Sequence, residues 1–339
     1  ESGLSRLEGE QYQGLRTSAV GRGCDFDPCS VMEPAEVRRV PRMGPMALAG
    51  SQEAMASARL RINPDDIASQ QRIGVALGTG GGGLAFVEEQ YREFFTNGRG
   101  SLYSITAGTH GNLSSELSIA LCLRGPSHVI STGCTSSTDA LGYAMGLIRS
   151  GMVQTMLAGG ADAPISPGIL LAFERMRVVS TRRWDSPSQS SRPFSLDRDG
   201  FVLGEGAWML VLEERDQALE RGAPILAELA GYGSTCDAYH RVQMNPDGEQ
   251  IIRAMRLAIE RSGYAVDEIG YVNYHGTSTV LNDAVEARCV RELFGPRAAD
   301  VPGSSTKSMI GHPQGASGAS GIVTTVLALT NGYLPPTIN

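Results

Sequence analysis

The sequence has 339 residues, of which 41% are hydrophobic and 19% are charged, as in globular proteins with a large core. Its net charge is −7 and the basic residues are interspersed with acidic ones, which argues against a nucleic-acid-binding protein. No segment is apolar enough to cross a membrane, and residues 1–5 do not resemble a signal peptide, so we expect a soluble, cytoplasmic protein.

The predicted elements alternate between strands and helices. Short β-rich segments without polar alternation predict buried strands, and the longer patterns between them predict covering helices. Strands are predicted at 73–77, 128–132, 155–159, 207–212, 225–229 and 271–274, and helices at 84–95 and 135–150. This order predicts an α/β fold, with a soft division into two halves near 213–221.

Glycines concentrate at the ends of these elements, most densely at 78–83. A glycine-rich loop after a strand can bind phosphate, but this one lacks the Gly-Lys-Ser/Thr ending of a P-loop. Tight turns against a buried sheet are the commoner use of such a loop. Nucleotide binding is therefore a minor alternative, which titration with ATP or NAD would test.

Two residue types stand out by their number. Six cysteines are too few and too scattered for a disulfide framework, and Cys24 and Cys29 have no second ligand pair at metal-site spacing. We therefore expect Cys24 and Cys29 to be ordinary thiols, and no bound metal. Of the 29 basic residues only Lys307 is lysine, which is either chance or the mark of a site that fits a compact ammonium.

One cysteine is placed as a nucleophile would be. In Thr132-Gly133-Cys134-Thr135, a predicted strand turns at the glycine and enters a helix. The unpaired N–H groups at a helix N-terminus stabilise a thiolate, so we expect a lowered pKa for the Cys134 thiol. A buried, inert cysteine is the common alternative, but the small neighbouring residues would let an acyl group approach.

Two further motifs carry candidate catalytic residues. His275 follows a predicted strand and precedes Gly276, Thr277, Ser278 and Thr279. Lys307 and His312 lie five residues apart across a predicted turn. Each histidine alone would more often be structural than catalytic. A cysteine, a histidine, a lysine and a second histidine in this order, each among small residues, form a more specific pattern.

At these residues the chain resembles the β-ketoacyl-acyl-carrier-protein synthases, the ketosynthases of the thiolase-like superfamily. Cys134 matches the family's acyl-accepting nucleophile, His275 its His-Gly-Thr motif, and Lys307 and His312 its Lys and Gly-His positions. Further similar runs lie at 158–162, 191–194, 198–202, 204–206 and 334–339, and the resemblance covers about residues 45–339. Residues 161–167 and 236–240 favour type II polyketide ketosynthase subunits, although fatty-acid elongating synthases share much of this pattern.

The resemblance implies a fold, an activity and roles for these residues. The fold would be a layered α-β-α-β-α arrangement of two pseudo-symmetric halves, 1–215 with the nucleophile and 216–339 with the His and Lys residues. Cys134 would accept an acyl group, and His275 and His312 would hold the malonyl thioester during decarboxylation. Lys307 would give electrostatic support, Thr277 and Thr279 would bind the pantetheine arm, and Phe201 would line the acyl pocket.

The resemblance also implies partners. No cofactor would be bound permanently, because phosphopantetheine arrives on an acyl carrier protein. Arg182, Arg183 and Arg192 are candidates for a basic surface that binds this acidic partner, with solvated loop charge as the alternative. A homodimer, or a heterodimer with a related ketosynthase-like subunit, would be built on the strand near 155–160.

Alternatives remain open. The chain could be a coenzyme A-using thiolase-like acyltransferase, although Lys307 and His312 stand where a second catalytic cysteine is expected. It could be a non-catalytic partner of the chain-length-factor type, although such partners usually lack the nucleophilic cysteine. The family's first strand and its final strands with a Gly-Phe-Gly-Gly-like loop have no counterpart in the sequence, so we expect a fold that lacks parts of these strands.

Overall fold

The centre of the fold is a four-stranded mixed sheet. The structure is a computed structural model and describes residues 1–23 and 25–339. The strands are β1 Ser5–Arg6, β2 Ala19–Val20, β3 Ile73–Gly78, β4 Ser127–Ile130, β5 Thr155–Asp162, β6 Gly206–Glu213, β7 Val272–Asn273 and β8 Gly303–Ser304. In the central sheet the order is β4-β3-β5-β6; β3 is parallel to β4 and β5, and β6 is antiparallel to β5. Small sheets pair β1 with β2 and β7 with β8.

Helices lie between these strands along the chain. They are α1 Pro34–Val37, α2 Met43–Ser57, α3 Ile67–Gln71, α4 Leu84–Asn97, α5 Ser104–Gly108, α6 Asn112–Leu121, α7 Ser136–Arg149, α8 Pro167–Met176, α9 Arg215–Glu220, α10 Glu249–Ser262, α11 Val280–Phe294, α12 Lys307–Ile310 and α13 Ser317–Asn331. Within the described residues, no helix has the length and apolar character needed to span a bilayer.

Different helices cover the two faces of the central sheet. Every residue of β3 and β5 is buried, which explains why these strands, apart from Asp162 at the end of β5, are made of apolar or small residues without alternation. On one face, α2 and α6 contribute to a core cluster that includes Met43, Leu48, Leu77, Leu117 and Leu157. On the other, α7 contributes to a cluster that includes Ala76, Leu141, Ala144, Met156 and Ala158. Alternate strand residues therefore face opposite layers, as the pleat requires.

The predicted α/β organisation is confirmed, with two exceptions. The segment 225–229 forms no strand although all of its residues are described. No strand in the described part of the chain pairs with it, and Ile225 and Leu226 are about half exposed. A dimer built on the strand near 155–160 is also wrong, because β5 is hydrogen-bonded to β3 along one edge and to β6 along the other. Cys24 lies outside the described residues, while Cys29 is a free thiol.

Candidate active site

Cys134 lies in a tight turn between β4 and α7. Residues Gly133–Thr135 form one turn of 3₁₀-helix directly before α7, and Gly133 has a φ of 71°, which glycine adopts without strain. The Ser136 hydroxyl accepts a hydrogen bond from the Thr132 N–H at 2.9 Å and donates one to the Gly133 carbonyl. These bonds fix the backbone on both sides of the half-buried Cys134.

The electrostatic environment of Cys134 differs from the sequence expectation. Burial raises the pKa of the Cys134 thiol above its ordinary value, and this effect outweighs the opposing field of Lys307. The buried carboxylate of Asp162 also raises the pKa of Cys134. The predicted lowering by the helix terminus is therefore wrong, because desolvation dominates where the sulfur is enclosed. Cys134 therefore rests as a thiol, and it could act as a nucleophile only after losing its proton to a base.

His275 is positioned by a half-buried glutamate. It follows β7, and the backbone N–H groups of His275 and Gly276 donate to the two carboxylate oxygens of Glu286 at 2.6 and 2.7 Å. Gly276 has a φ of 41°, and a Cβ there would lie 2.5 Å from the Cβ of Ser305. Only glycine fits this close approach, which explains the glycine after His275.

His312 is held by its backbone and by its ring. Its N–H donates to the Val202 carbonyl at 2.7 Å, and its carbonyl accepts from the Gly204 N–H at 2.9 Å. The Nδ1 atom lies 2.9 Å from the Ser317 hydroxyl. If Ser317 donates this bond, the ring proton is on Nε2, so that the neutral imidazole can donate a hydrogen bond into the cleft.

The structure brings Cys134, His275 and His312 together from both halves of the chain. One ligand atom from each, the sulfur and a nitrogen of each ring, lies within 4.8 Å of the other two. The two imidazole rings are 5.3 Å apart and nearly perpendicular. Burial lowers the pKa of His275 to about 3 and that of His312 well below its ordinary value, with Lys307 acting in the same direction. Both rings are therefore neutral at physiological pH.

Lys307 supplies the positive charge beside this group. It begins α12, and only 5% of its surface is exposed. Burial lowers the pKa of Lys307 to about 8, while Glu286, Cys134 and Asp283 act in the opposite direction. The lone lysine of the sequence thus stands at a buried, charged position.

The three predicted substrate-binding residues lie close to the histidines. Thr277 is buried, and its hydroxyl is 2.9 Å from that of the more exposed Thr279. The buried ring of Phe201 stacks edge-to-face on His312 at 5.1 Å. All the predicted site residues therefore belong to one region of the molecule.

Comparison with known proteins identifies the family. Two family models match the chain, the beta-ketoacyl synthase N-terminal domain over residues 6–218 and the C-terminal domain over residues 226–339. The chain belongs to the beta-ketoacyl synthase family. The predicted boundary between the halves, 215/216, stays a prediction.

The chain is similar both to 3-oxoacyl-acyl-carrier-protein synthases and to polyketide beta-ketoacyl synthases. It is 40% identical to the 3-oxoacyl-acyl-carrier-protein synthase 2 of Synechocystis, over 93% of this chain and 75% of that one. It is 38% identical to the actinorhodin polyketide putative beta-ketoacyl synthase 1 of Streptomyces coelicolor, over 95% of this chain and 70% of that one.

Solved structures confirm the predicted thiolase-like α/β fold. A type II polyketide acyl-carrier protein in complex with its ketosynthase bound to the hexaketide matches with a TM-score of 0.89 and 31% identity, over 99% of this chain and 81% of that one. The ishigamide ketosynthase/chain length factor matches with a TM-score of 0.87 and 31% identity, over 100% and 81%.

Asp162 is the main site residue that sequence reasoning missed. Its fully buried carboxylate accepts hydrogen bonds from the Thr79 hydroxyl and from the N–H groups of Gly80, Gly81 and Gly315, at 2.7–3.0 Å. It thereby ties the glycine-rich loop of one half to the loop after His312. Two amides of that loop are occupied by a carboxylate of this ketosynthase, which removes the support for nucleotide binding at 78–83.

The predicted basic surface is only partly available to a partner. The guanidinium groups of Arg182 and Arg192 both lie 4.1 Å from the Trp184 ring, and both form ion pairs with Asp197. Arg183 is exposed. Of the three candidates, Arg183 alone has no ion pair among the described residues, and Arg182 and Arg192 already stabilise their own loop.

The Cys134, His275 and His312 group also has the composition of a metal-ligand set, since all its donor atoms lie within 4.8 Å of one another. The positive charge of Lys307, which acts on all three residues, opposes a second cation at this place. The expectation of a metal-free ketosynthase stays a prediction.

Proposed function

We propose that this ketosynthase catalyses the decarboxylative Claisen condensation of an acyl thioester with malonyl-acyl-carrier protein, giving a 3-oxoacyl-acyl-carrier protein. The observation that carries this proposal is the convergence of one thiol and two neutral imidazoles within 4.8 Å. The thiol can hold an acyl chain covalently, as the first half-reaction requires. The two imidazoles can stabilise an enolate, as the second requires.

In the first half-reaction Cys134 takes the acyl group. Because burial raises the pKa of the thiol, its proton passes to a neighbouring neutral imidazole as the sulfur attacks the thioester carbonyl. A new C–S bond forms to Cys134, the bond to pantetheine breaks, and the pantetheine sulfur leaves with a proton. The N–H of Cys134 stabilises the negative oxygen of the tetrahedral intermediate.

In the second half-reaction malonyl-acyl-carrier protein enters the emptied cleft. The imidazoles of His275 and His312 donate hydrogen bonds to the thioester oxygen, on which charge develops as carbon dioxide leaves. The resulting carbanion attacks the acyl carbonyl and the C–S bond to Cys134 breaks. The thiolate that leaves takes up a proton from water to restore the thiol. Lys307 supports the developing negative charge, and its burial strengthens that effect.

The remaining predicted residues bind the substrate. Thr277 and Thr279 present neighbouring hydroxyls on the side of His275, where they would hold the pantetheine arm. Phe201 presents its ring beside His312, where it would line the acyl pocket. No permanently bound cofactor enters this proposal, because the phosphopantetheine arm comes with the carrier protein.

Two partners follow from this activity. An acyl carrier protein delivers both substrates, as supported by the related ketosynthase solved with its acyl-carrier protein. A second ketosynthase-like subunit, identical or related, is supported by the related ketosynthase and chain length factor. A purely non-catalytic role is disfavoured because Cys134 is present with both histidines. The cytoplasmic location expected from the sequence stays a prediction.

Mass spectrometry of the intact protein tests the nucleophile. After incubation with acyl carrier proteins of several chain lengths, we expect a mass increase equal to the acyl group, and none for Cys134→Ala. Acyl-coenzyme A serves as the parallel substrate. Faster acylation from coenzyme A than from the carrier protein would favour the coenzyme A-using alternative, and an adduct on Cys134→Ala would contradict the proposed nucleophile.

The role of His312 is tested by separating the two half-reactions. The His312→Ala variant should still be acylated at Cys134 by an acyl carrier protein, because His275 remains to accept the proton. It should release carbon dioxide from malonyl-acyl-carrier protein at least about a hundredfold more slowly, the loss typical of a removed oxyanion donor. Carbon dioxide release at the wild-type rate would refute this role.

A further inference from the structure

One side chain beside the nucleophile has no role in the proposed mechanism. Gln314 follows His312 by two residues, and its Oε1 lies 3.9 Å from the sulfur of Cys134. Its neighbour Gly315 is held by Asp162 across the domain junction. The backbone next to Gln314 is therefore fixed, and its side-chain amide forms part of the wall around the sulfur.

The other end of this amide is buried without a partner. Gln314 is 9% exposed, and no described residue accepts a hydrogen bond from its Nε2. A buried donor without an acceptor is unfavourable, and such a group is satisfied when a ligand brings an oxygen to it. Gln314 also has a φ of 44°, a left-handed conformation that is costly for a residue with a side chain. Strain of this kind concentrates at functional sites.

The position of the amide defines which substrate atom it can reach. The thioester oxygen of an acylated Cys134 is assigned to the N–H of Cys134, so the Gln314 amide faces atoms further along the chain. An oxygen on C3 of the acyl group is four bonds from the sulfur. Oε1 of Gln314 lies 3.9 Å from that sulfur and Nε2 is bonded to the same carbon, so the unpaired NH₂ group lies in the same part of the wall, within reach of such an oxygen. A saturated chain offers only hydrogens at C3 and leaves Nε2 unpaired.

We infer that Gln314 donates a hydrogen bond to a C3 oxygen of the acyl chain on Cys134, and that this ketosynthase selects 3-oxoacyl over saturated acyl groups. The inference rests on the proposed function, because it concerns the acyl group that Cys134 accepts. Gln314 takes no part in the bond changes or proton transfers of the first half-reaction. Its amide stabilises only acyl groups that carry an oxygen on C3. Gln314 is thus a specificity-determining residue of the acyl site.

Competition between two carrier-protein substrates tests the inference. Wild type and Gln314→Met are each incubated with 3-oxooctanoyl- and octanoyl-acyl carrier protein, and the rates of Cys134 acylation are compared. Because 3-oxo thioesters are intrinsically more electrophilic, the decisive quantity is the change in the rate ratio between the two proteins. We expect the ratio to fall about tenfold in Gln314→Met, through slower reaction of the 3-oxo substrate alone.

Controls distinguish a failure of this inference from a failure of the proposed function. Gln52→Leu, an exposed glutamine on α2, should leave the ratio unchanged. An equal ratio in wild type and Gln314→Met overturns the inference while leaving the proposed function standing, whereas a wild type that neither thioester acylates overturns both. If Gln314→Met does not fold, a crystal structure of wild type acylated with the 3-oxooctanoyl group decides: Nε2 at hydrogen-bond distance from the C3 oxygen supports the inference, and any other partner overturns it.

Discussion

Opposing charges act on the sulfur of Cys134. Lys307 favours the thiolate, while burial and the carboxylate of Asp162 favour the thiol, and the thiol form prevails. A raised thiol pKa suits an enzyme whose neutral imidazoles can take the proton during attack. It also protects the free enzyme, because the thiolate is the form that reacts with oxidants and alkylating agents.

Replacing the lone lysine should make the thiol less acidic still. In Lys307→Met the nearby positive charge is lost, so the pKa of Cys134 should rise further. The rate of alkylation by iodoacetamide at pH 7 should then fall roughly threefold or more. The comparison is sharpest below pH 8, because the pKa of Lys307 is about 8 and wild type loses the positive charge above it. The exposed Arg183→Met is the matched control, and a pH profile identical to wild type in Lys307→Met would contradict the electrostatic role.

At the scale of elements, the loops that carry the site are joined by two carboxylates, one fully buried and one half-buried. Asp162 ends β5 and binds the loop after β3 and the loop after His312, and Glu286 in α11 binds the backbone after β7. The C-terminal segment also holds a loop of the site, since the Thr337 hydroxyl accepts a hydrogen bond from the Ser305 N–H at 2.9 Å. The candidate site residues, which come from distant parts of the chain, are thereby held in one geometry.

Removing one of these carboxylates should destabilise the whole molecule. In Asp162→Asn an amide N–H₂ faces N–H donors, so at least one buried donor is left unpaired and an unfavourable contact is created. We expect a loss of about 3 kcal/mol in the free energy of unfolding, measured by urea denaturation. Asp65→Asn, at an exposed position, should change it by less than about 0.5 kcal/mol. Equal stability of the two variants would show that Asp162 is not needed to join the loops.

The elements differ in how far the sequence predicts them. Strands β3, β5 and β6 are apolar runs that also find partners, so pattern and structure agree. The run 225–229 has the same pattern but no neighbouring strand, and pairing partners are not visible in a local pattern. Cys134, His275, Lys307 and His312 were found because their motifs resemble a family. Asp162, Glu286 and Gln314 were missed because their roles depend on contacts between segments far apart in the sequence.

At the scale of the whole molecule, the site lies where the two halves meet, and a partner subunit must bind elsewhere on the sheet. The interior strand β5 has no free edge. Among the described residues, strand β4 is paired on one side only, and the helices that flank it, α6 and α7, expose Ile119 and Tyr143. Because β4 leads directly to Cys134, a partner bound at this edge would lie close to the acyl site.

We therefore expect the free edge of β4 to pair with a second ketosynthase-like subunit. The carbonyls of Pro126 and Ile130 accept from β3, so in this parallel pair Ser127 and Val129 direct their N–H groups away from it. Val129→Pro removes an outward N–H without breaking a bond to β3, and should convert a dimer into a monomer in analytical ultracentrifugation. Val129→Ala trims the side chain but keeps the N–H, and should remain dimeric. A dimeric Val129→Pro would exclude strand pairing at this edge, because pairing requires the amide that proline lacks.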